Sequence, residues 1–187
     1  MRIACIPNAK DLHTSLQRER LVASVKEVTA VGVKIEIIDV VSYAGRPHDL
    51  HRRLSAFSGI WVVGGDLFYL RYAMKLSGFD QIIQSLLDQE VVYGGYSAGA
   101  IVAGPTLDHF DLNGEVHREP ETIWQGLGLT KQVIIPHWNI KAHNHFFTDI
   151  KKLLIEDKQQ VIPLRDGQAV IIDAASMFLC GKDVSEE

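Results

Sequence analysis

The sequence predicts an α/β fold built on a doubly wound, mostly parallel sheet flanked by helices. Two observations carry that prediction. Short apolar runs bounded by turn residues alternate with segments whose apolar positions recur at helical spacing, which is the pattern of repeated strand–helix units. Two of these runs end in a glycine pair just before a helix start: Val62-Val63-Gly64-Gly65-Asp66 and Val92-Tyr93-Gly94-Gly95-Tyr96-Ser97. The 187 residues are 47% hydrophobic and 22% charged, which suits a single domain over 1–187 with a substantial core.

The elements follow in order. Residues 3–6 form a short apolar run closed by Pro7-Asn8, a buried strand and loop. Residues 14–31 place Leu21, Val25 and Val28 on one face, and Gly32 ends this amphipathic helix. Residues 33–41 read as a strand and 49–57 as a short helix. The strand at 59–63 runs into Gly64-Gly65, and Asp66 is the expected cap of a helix that Ser77-Gly78 breaks. Residues 79–89 carry Ile82, Ile83, Leu86 and Leu87 on one face. The strand at 91–93 leads to a helix at 97–102, stopped by Gly104-Pro105. Residues 106–129 show no period and are expected to be a long surface excursion. A strand at 133–136 precedes a helix at 143–156. Strands at 161–164 and 168–172 are expected to form a hairpin through Arg165-Asp166-Gly167. A last strand covers 177–180, and a polar tail, 182–187, is expected to fray.

Charge and hydropathy exclude several functions. The formal net charge is −4 and the basic residues are scattered, so nothing marks an electrostatic nucleic-acid binder. No run approaches 18 apolar residues, and the first residues are too short and apolar-poor for a leader, so no membrane partner is expected. Cys5 and Cys180 both lie in apolar runs and read as small buried hydrophobes, which suits a reducing cytoplasm.

In a doubly wound sheet the functional site lies beyond the carboxyl ends of the strands. Those ends present Asn8, Gly64-Gly65-Asp66, Ser97, His137 and Asp166. Gly95-Tyr96-Ser97-Ala98-Gly99 fits G-x-S-x-G, a turn in which glycines flank a serine too closely packed for side chains on either side. A hydroxyl, an imidazole and a carboxylate are what acyl transfer needs: nucleophile, base and orienting acid. The amides of Ala98 and of Gly65 or Asp66 would form the oxyanion hole. Each residue also has a plainer reading. Ser97 could cap a helix, His137 could be a satisfied strand-end histidine, Asp166 could belong to an Asp-Gly turn, and Asp66 could be a helix cap alone. Asp111 is a rival orienter for His137. The spacing of His137, His143 and His145 matches no helical metal pair, so no metal is expected. The glycine pairs form neither dinucleotide nor Walker loops, so no cofactor is expected either.

The order Ser, His, acid differs from the Ser, acid, His order of α/β-hydrolases. Together with Ile6-Pro7-Asn8-Ala9, Val63-Gly64-Gly65-Asp66, Ser97-Ala98-Gly99-Ala100 with Pro105-Thr106, Ile135-Pro136-His137-Trp138-Asn139 and Leu164-Arg165-Asp166-Gly167, it resembles the S51 peptidases, the family of dipeptidase E and cyanophycinase. The resemblance implies a fold similar to class I glutamine amidotransferases, with serine at the elbow. It implies a cytoplasmic serine peptidase acting on small peptides, with Ser97 as nucleophile, His137 as base and Asp166 or Asp111 as acid. Gly65-Asp66 stands where relatives commonly have Gly-Asn. The family usually has an extra strand before the piece at 3–7; its absence would expose a sheet edge and favour a homo-oligomer. Lys141, Arg118 and Arg165 are the candidate cations for an acidic substrate. A small esterase or amidase with the same triad, and a silent binding module of this fold, are the alternatives.

Overall fold

The computed structural model describes residues 1–12, 32–113, 119–138, 140, 144–173 and 175–181. The helix expected at 14–31 and the tail at 182–187 lie outside the described residues, as do Arg118, Asn139, Lys141 and His143. The described chain divides into two compact units. The first is built on Met1–Ala100 together with 119–123; the second takes the rest from Ile101 onward.

The first unit is a parallel sheet with helices packed around it. Its strands are β1 (Arg2–Ile6), β2 (Lys34–Ile37), β3 (Gly59–Val62) and β4 (Val92–Gly95), in the spatial order β2-β1-β3-β4. Every neighbouring pair is parallel, with Ile3 opposite Ile35 and Gly59, and Gly59 opposite Val92. The central strands β1 and β3 supply the core through Ala4, Cys5, Ile6, Ile60 and Val62, all buried. Continuous apolar runs, with no polar alternation, are what a strand covered on both faces requires. β2 is shorter than the apolar run suggests. Asp39 accepts a hydrogen bond from the Val41 amide at 2.9 Å and turns the chain into a 3-10 segment, Val40–Tyr43.

Helix α1 (Pro47–Leu54) starts with proline at its first position and buries Leu50 and Leu54. It packs on α3 (Phe79–Leu87), whose buried face is Phe79, Ile82, Ile83 and Leu86. Between them in sequence, α2 (Leu67–Ser77) opens on Asp66, which accepts from the Tyr69 amide at 2.9 Å. It closes on Gly78 at φ +73°. The Arg71 guanidinium, on the buried side of α2, meets Asp80 of α3 at 3.0 Å. α4 (Ala98–Ile101), a single turn, follows β4.

The strand order reverses direction between β1 and β3. The crevice such a reversal opens lies at the carboxyl ends, where Pro7-Asn8-Ala9 and Gly64-Gly65 emerge. Parallel pairing of β4 beside β3 sends Ser97 out at the same edge.

The second unit holds β5 (Gln132–Ile135) and β6 (Gln160–Pro163), paired in parallel, and α5 (Asn144–Glu156) packed on β6. α5 buries Phe147, Ile150 and Leu154. β7 (Gln168–Ile172) and β8 (Met177–Gly181) form an antiparallel pair. The expected hairpin between the strands at 161–164 and 168–172 is therefore corrected. Residues 165–167 do turn, with Gln168 donating to the Arg165 carbonyl at 3.0 Å, but β6 pairs with β5 and β7 pairs with β8. Pro163 has no amide to give a ladder, and an Asp-Gly turn fixes only the local reversal.

Two further expectations change. Cys180 is exposed, whereas Cys5 is buried. β8 is an apolar run, yet all five of its residues are exposed, and among the described residues its only strand partner is β7. The segment at 106–129 is more than a surface excursion. Leu107 and Phe110 are fully buried. The 3-10 segment Phe110–Asn113 packs on α5, and Thr106 bridges to Gln125. His109 Nε2 lies 2.7 Å from Asp157 Oδ2 just past α5. Among the described residues no helix is long and apolar enough to cross a membrane.

Candidate active site

Ser97 stands at the turn between β4 and α4 with φ +54°, a left-handed conformation uncommon for a residue with a side chain. The turn is held by close backbone packing. Tyr96 donates to the Val62 carbonyl at 3.0 Å, and the Gly99 and Ala100 amides donate to the Tyr96 and Ser97 carbonyls at 3.0 and 2.9 Å. A Cβ on Gly95 would sit 2.2 Å from the Gly99 carbonyl oxygen, and one on Gly99 would sit 2.2 Å from that of Val62. Both glycines of G-x-S-x-G are thus fixed by contact distance. The Ser97 side chain faces the second glycine turn, since a Cβ on Gly64 would lie 2.5 Å from Ser97 Cβ and 3.0 Å from Oγ.

That second turn is braced by the 3-10 segment Asn8–Lys10 that follows β1. A Cβ on Gly65 would meet the Ala9 carbonyl oxygen at 2.2 Å. The Asp66 amide donates to the same carbonyl at 2.8 Å. Of the expected oxyanion donors, the Asp66 amide is therefore already engaged by protein, and its carboxylate caps α2. Asn8 is fully buried and acts as a stitch between loops. Its Nδ2 donates to Asp11 and Asp39 at 2.8 and 2.7 Å, and its Oδ1 accepts from the Val40 amide at 3.0 Å. Around it, burial and the Asp11 carboxylate raise the Tyr69 phenol above its ordinary range, and burial lowers the Lys10 ammonium below its own.

His137 belongs to the second unit, one residue past the proline that follows β5, with φ +58°. Strand register brings its partner to it. The Leu164 amide donates to the Ile135 carbonyl at 2.8 Å, and the Trp138 amide donates to the Leu164 carbonyl at 2.9 Å. His137 is bracketed between these two bonds, and Asp166 lies two residues beyond Leu164. The result is His137 Nδ1 at 2.8 Å from Asp166 Oδ1. The imidazole is mostly covered, with 15% of its side-chain surface exposed against 41% for Asp166. A carboxylate accepting at Nδ1 puts the proton there and leaves Nε2 with its lone pair.

Of the expected site residues, the structure joins His137 and Asp166 directly. It gathers Ser97, Ala98 and the Gly64-Gly65 turn in the first unit. Asp111 lies exposed on the 3-10 segment Phe110–Asn113. Leu164 was legible as a strand end and as part of the piece at 164–167, but its backbone role in setting the His137–Asp166 register was not, because such a role leaves side-chain identity free. Among the described residues no three His, Cys, Asp or Glu side chains gather as metal ligands would.

The model of peptidase family S51 matches residues 1–180 of this chain. An uncharacterized peptidase of Listeria monocytogenes serovar 1/2a is 24% identical over 166 residues, covering 87% of this chain and 75% of that protein. An uncharacterized peptidase of Pasteurella multocida is 25% identical over 126 residues, covering 65% of this chain and 59% of the relative. Among solved structures, a candidate peptidase E protein from Listeria monocytogenes EGD-e superposes with a TM-score of 0.78 at 20% identity, covering 97% of this chain and 86% of the other. A peptidase from an acI-B1 actinobacterium gives 0.72 at 18% identity, over 97% and 74% of the two chains. These two likenesses extend the α/β architecture, a central parallel sheet flanked by helices, to nearly all of this chain. With a strand-borne serine elbow, a bonded His–Asp pair and a family match across almost its whole length, the chain belongs to peptidase family S51.

Proposed function

We propose that this peptidase is a serine hydrolase that cleaves small peptides through an acyl-enzyme on Ser97. The observation that carries the reading is the Ser97 turn: a serine at φ +54° between two contact-fixed glycines, its hydroxyl against Gly64. Strained backbone at one polar residue persists only where the surroundings over-determine it. Here those surroundings are the glycine contacts and the Tyr96–Val62 hydrogen bond.

In the proposed mechanism Ser97 Oγ attacks the scissile carbonyl carbon and its proton passes to His137 Nε2. Asp166 accepts from Nδ1–H, fixes the tautomer and stabilises the imidazolium. The oxyanion is held by the amides of Ala98 and Gly65. His137 then protonates the leaving amine, the C–N bond breaks, and the acyl group remains on Ser97. Water, giving a proton to His137, attacks the ester and releases the acid with regeneration of the serine. Asp166 is preferred to Asp111 as the acid because its carboxylate is the one bonded to Nδ1. No metal or cofactor enters this scheme.

A panel of dipeptides set against short acyl esters tests the substrate class. Faster turnover of dipeptides, lost in Ser97→Ala, supports the reading. Turnover of esters alone would move the assignment to an esterase, and turnover retained by Ser97→Ala would remove the nucleophile.

A further inference from the structure

We propose that Tyr93 is a positioning residue for the nucleophile: its hydroxyl, by donating to the Gly99 carbonyl, holds the Ser97 turn in its reactive shape. The inference rests on the serine-hydrolase reading above. Tyr93 lies on β4, four residues before Ser97, and its O–H donates to Gly99 O at 2.7 Å across the turn. That carbonyl is not a peripheral acceptor. It is the atom a Cβ on Gly95 would strike at 2.2 Å, so it forms the wall behind the glycine preceding the serine. Gly99 itself is wedged against the Val62 carbonyl. Moving Gly99 therefore moves both flanks of Ser97.

The turn's other ties are backbone hydrogen bonds and the glycine contacts, and the helix after it adds little. α4 is four residues long, Ala98–Ile101, and a helix of one turn has almost no cooperative stability of its own. Ser97 occupies a left-handed conformation that relaxes unless its surroundings forbid it. The Tyr93 hydroxyl links strand β4 to the carbonyl that closes the turn. Burial pushes the phenol's ionisation up, so the group stays a donor throughout the pH range of a working enzyme.

The test uses a fluorophosphonate probe, which reports the reactivity of the serine without knowledge of the natural substrate. Tyr93→Phe removes one oxygen atom and leaves the ring. The expected result is a maximal labelling rate reduced by about 10- to 100-fold, as a displacement of the nucleophile by about 1 Å would give. The probe concentration for half-maximal rate and the circular dichroism spectrum should stay as in the wild type. Phe79→Leu, a core change on α3, serves as a control that loosens the fold without touching the turn, and should keep the wild-type labelling rate. Both variants are measured at temperatures where each is folded. An unchanged maximal rate in Tyr93→Phe overturns the proposal, and so does an equal loss in Phe79→Leu. A wild-type protein that labels at Ser97 while Tyr93→Phe labels equally fast would sink this inference and leave the serine mechanism intact. A wild-type protein that fails to label at Ser97 would remove both.

Discussion

His137 Nδ1 and Asp166 Oδ1 stand 2.8 Å apart because Leu164 is hydrogen-bonded on both sides of the histidine. A parallel strand pair thus delivers a carboxylate to an imidazole 29 residues away in the chain. Replacing Asp166 by asparagine keeps the shape but offers a donor where Nδ1–H needs an acceptor. Turnover should fall on the order of 10⁴-fold with the fold intact. Asp111→Asn, on its exposed segment, should stay near the wild type. Steady-state kinetics of the two variants side by side check this.

The glycines around Ser97 give a second prediction, in which the struck atom decides the effect. Gly95→Ala drives a methyl group into the backbone of Gly99, which cannot yield, and should destabilise the protein by about 1–3 kcal/mol or more. Gly64→Ala strikes the Ser97 side chain instead. Ser97 Cβ is fixed by the backbone and the Tyr96 carbonyl oxygen lies 3.1 Å from the added methyl, so this change should cost stability too, and it should displace the hydroxyl. Urea unfolding midpoints and fluorophosphonate labelling, measured on the same preparations, separate the two.

Cys5 gives a pH prediction. Burial on the central strand pushes its thiol from 9.0 up to about 11. Below pH 9 the thiol is protonated in both the folded and unfolded chain. Between pH 9 and about 11 the unfolded chain loses that proton and the folded chain keeps it. The unfolded state then binds fewer protons, so stability falls as pH rises. The full effect is roughly 2–3 kcal/mol above that window. Cys5→Ala should remove this part of the alkaline slope, whatever it does to stability at neutral pH. Denaturant titrations from pH 7 to about 11 measure the slope.

Much of this was legible in the residues because the signals were steric. Gly95 and Gly99 fix the serine turn through contacts no side chain can survive, and Asp66 caps α2 as a helix start before Leu67 requires. The His137–Asp166 pairing was only half legible. A strand-end histidine and an Asp-Gly turn are visible in sequence, but the register that joins them is set by backbone bonds to Leu164. Cys180 and Leu107 were misread in opposite directions. Apolar character says what prefers burial; it does not say which strand gains a covering layer, nor which polar-looking segment folds back over its own leucine.

The proposed mechanism stands or falls on Ser97 bonding covalently to substrate. Mass spectrometry of the fluorophosphonate-treated protein tests it most directly. The expected result is one adduct per chain, located on the peptide containing Gly95-Tyr96-Ser97-Ala98-Gly99 and lost in both Ser97→Ala and His137→Ala. An adduct on another residue, or peptide hydrolysis by a protein that never takes the label, would contradict it.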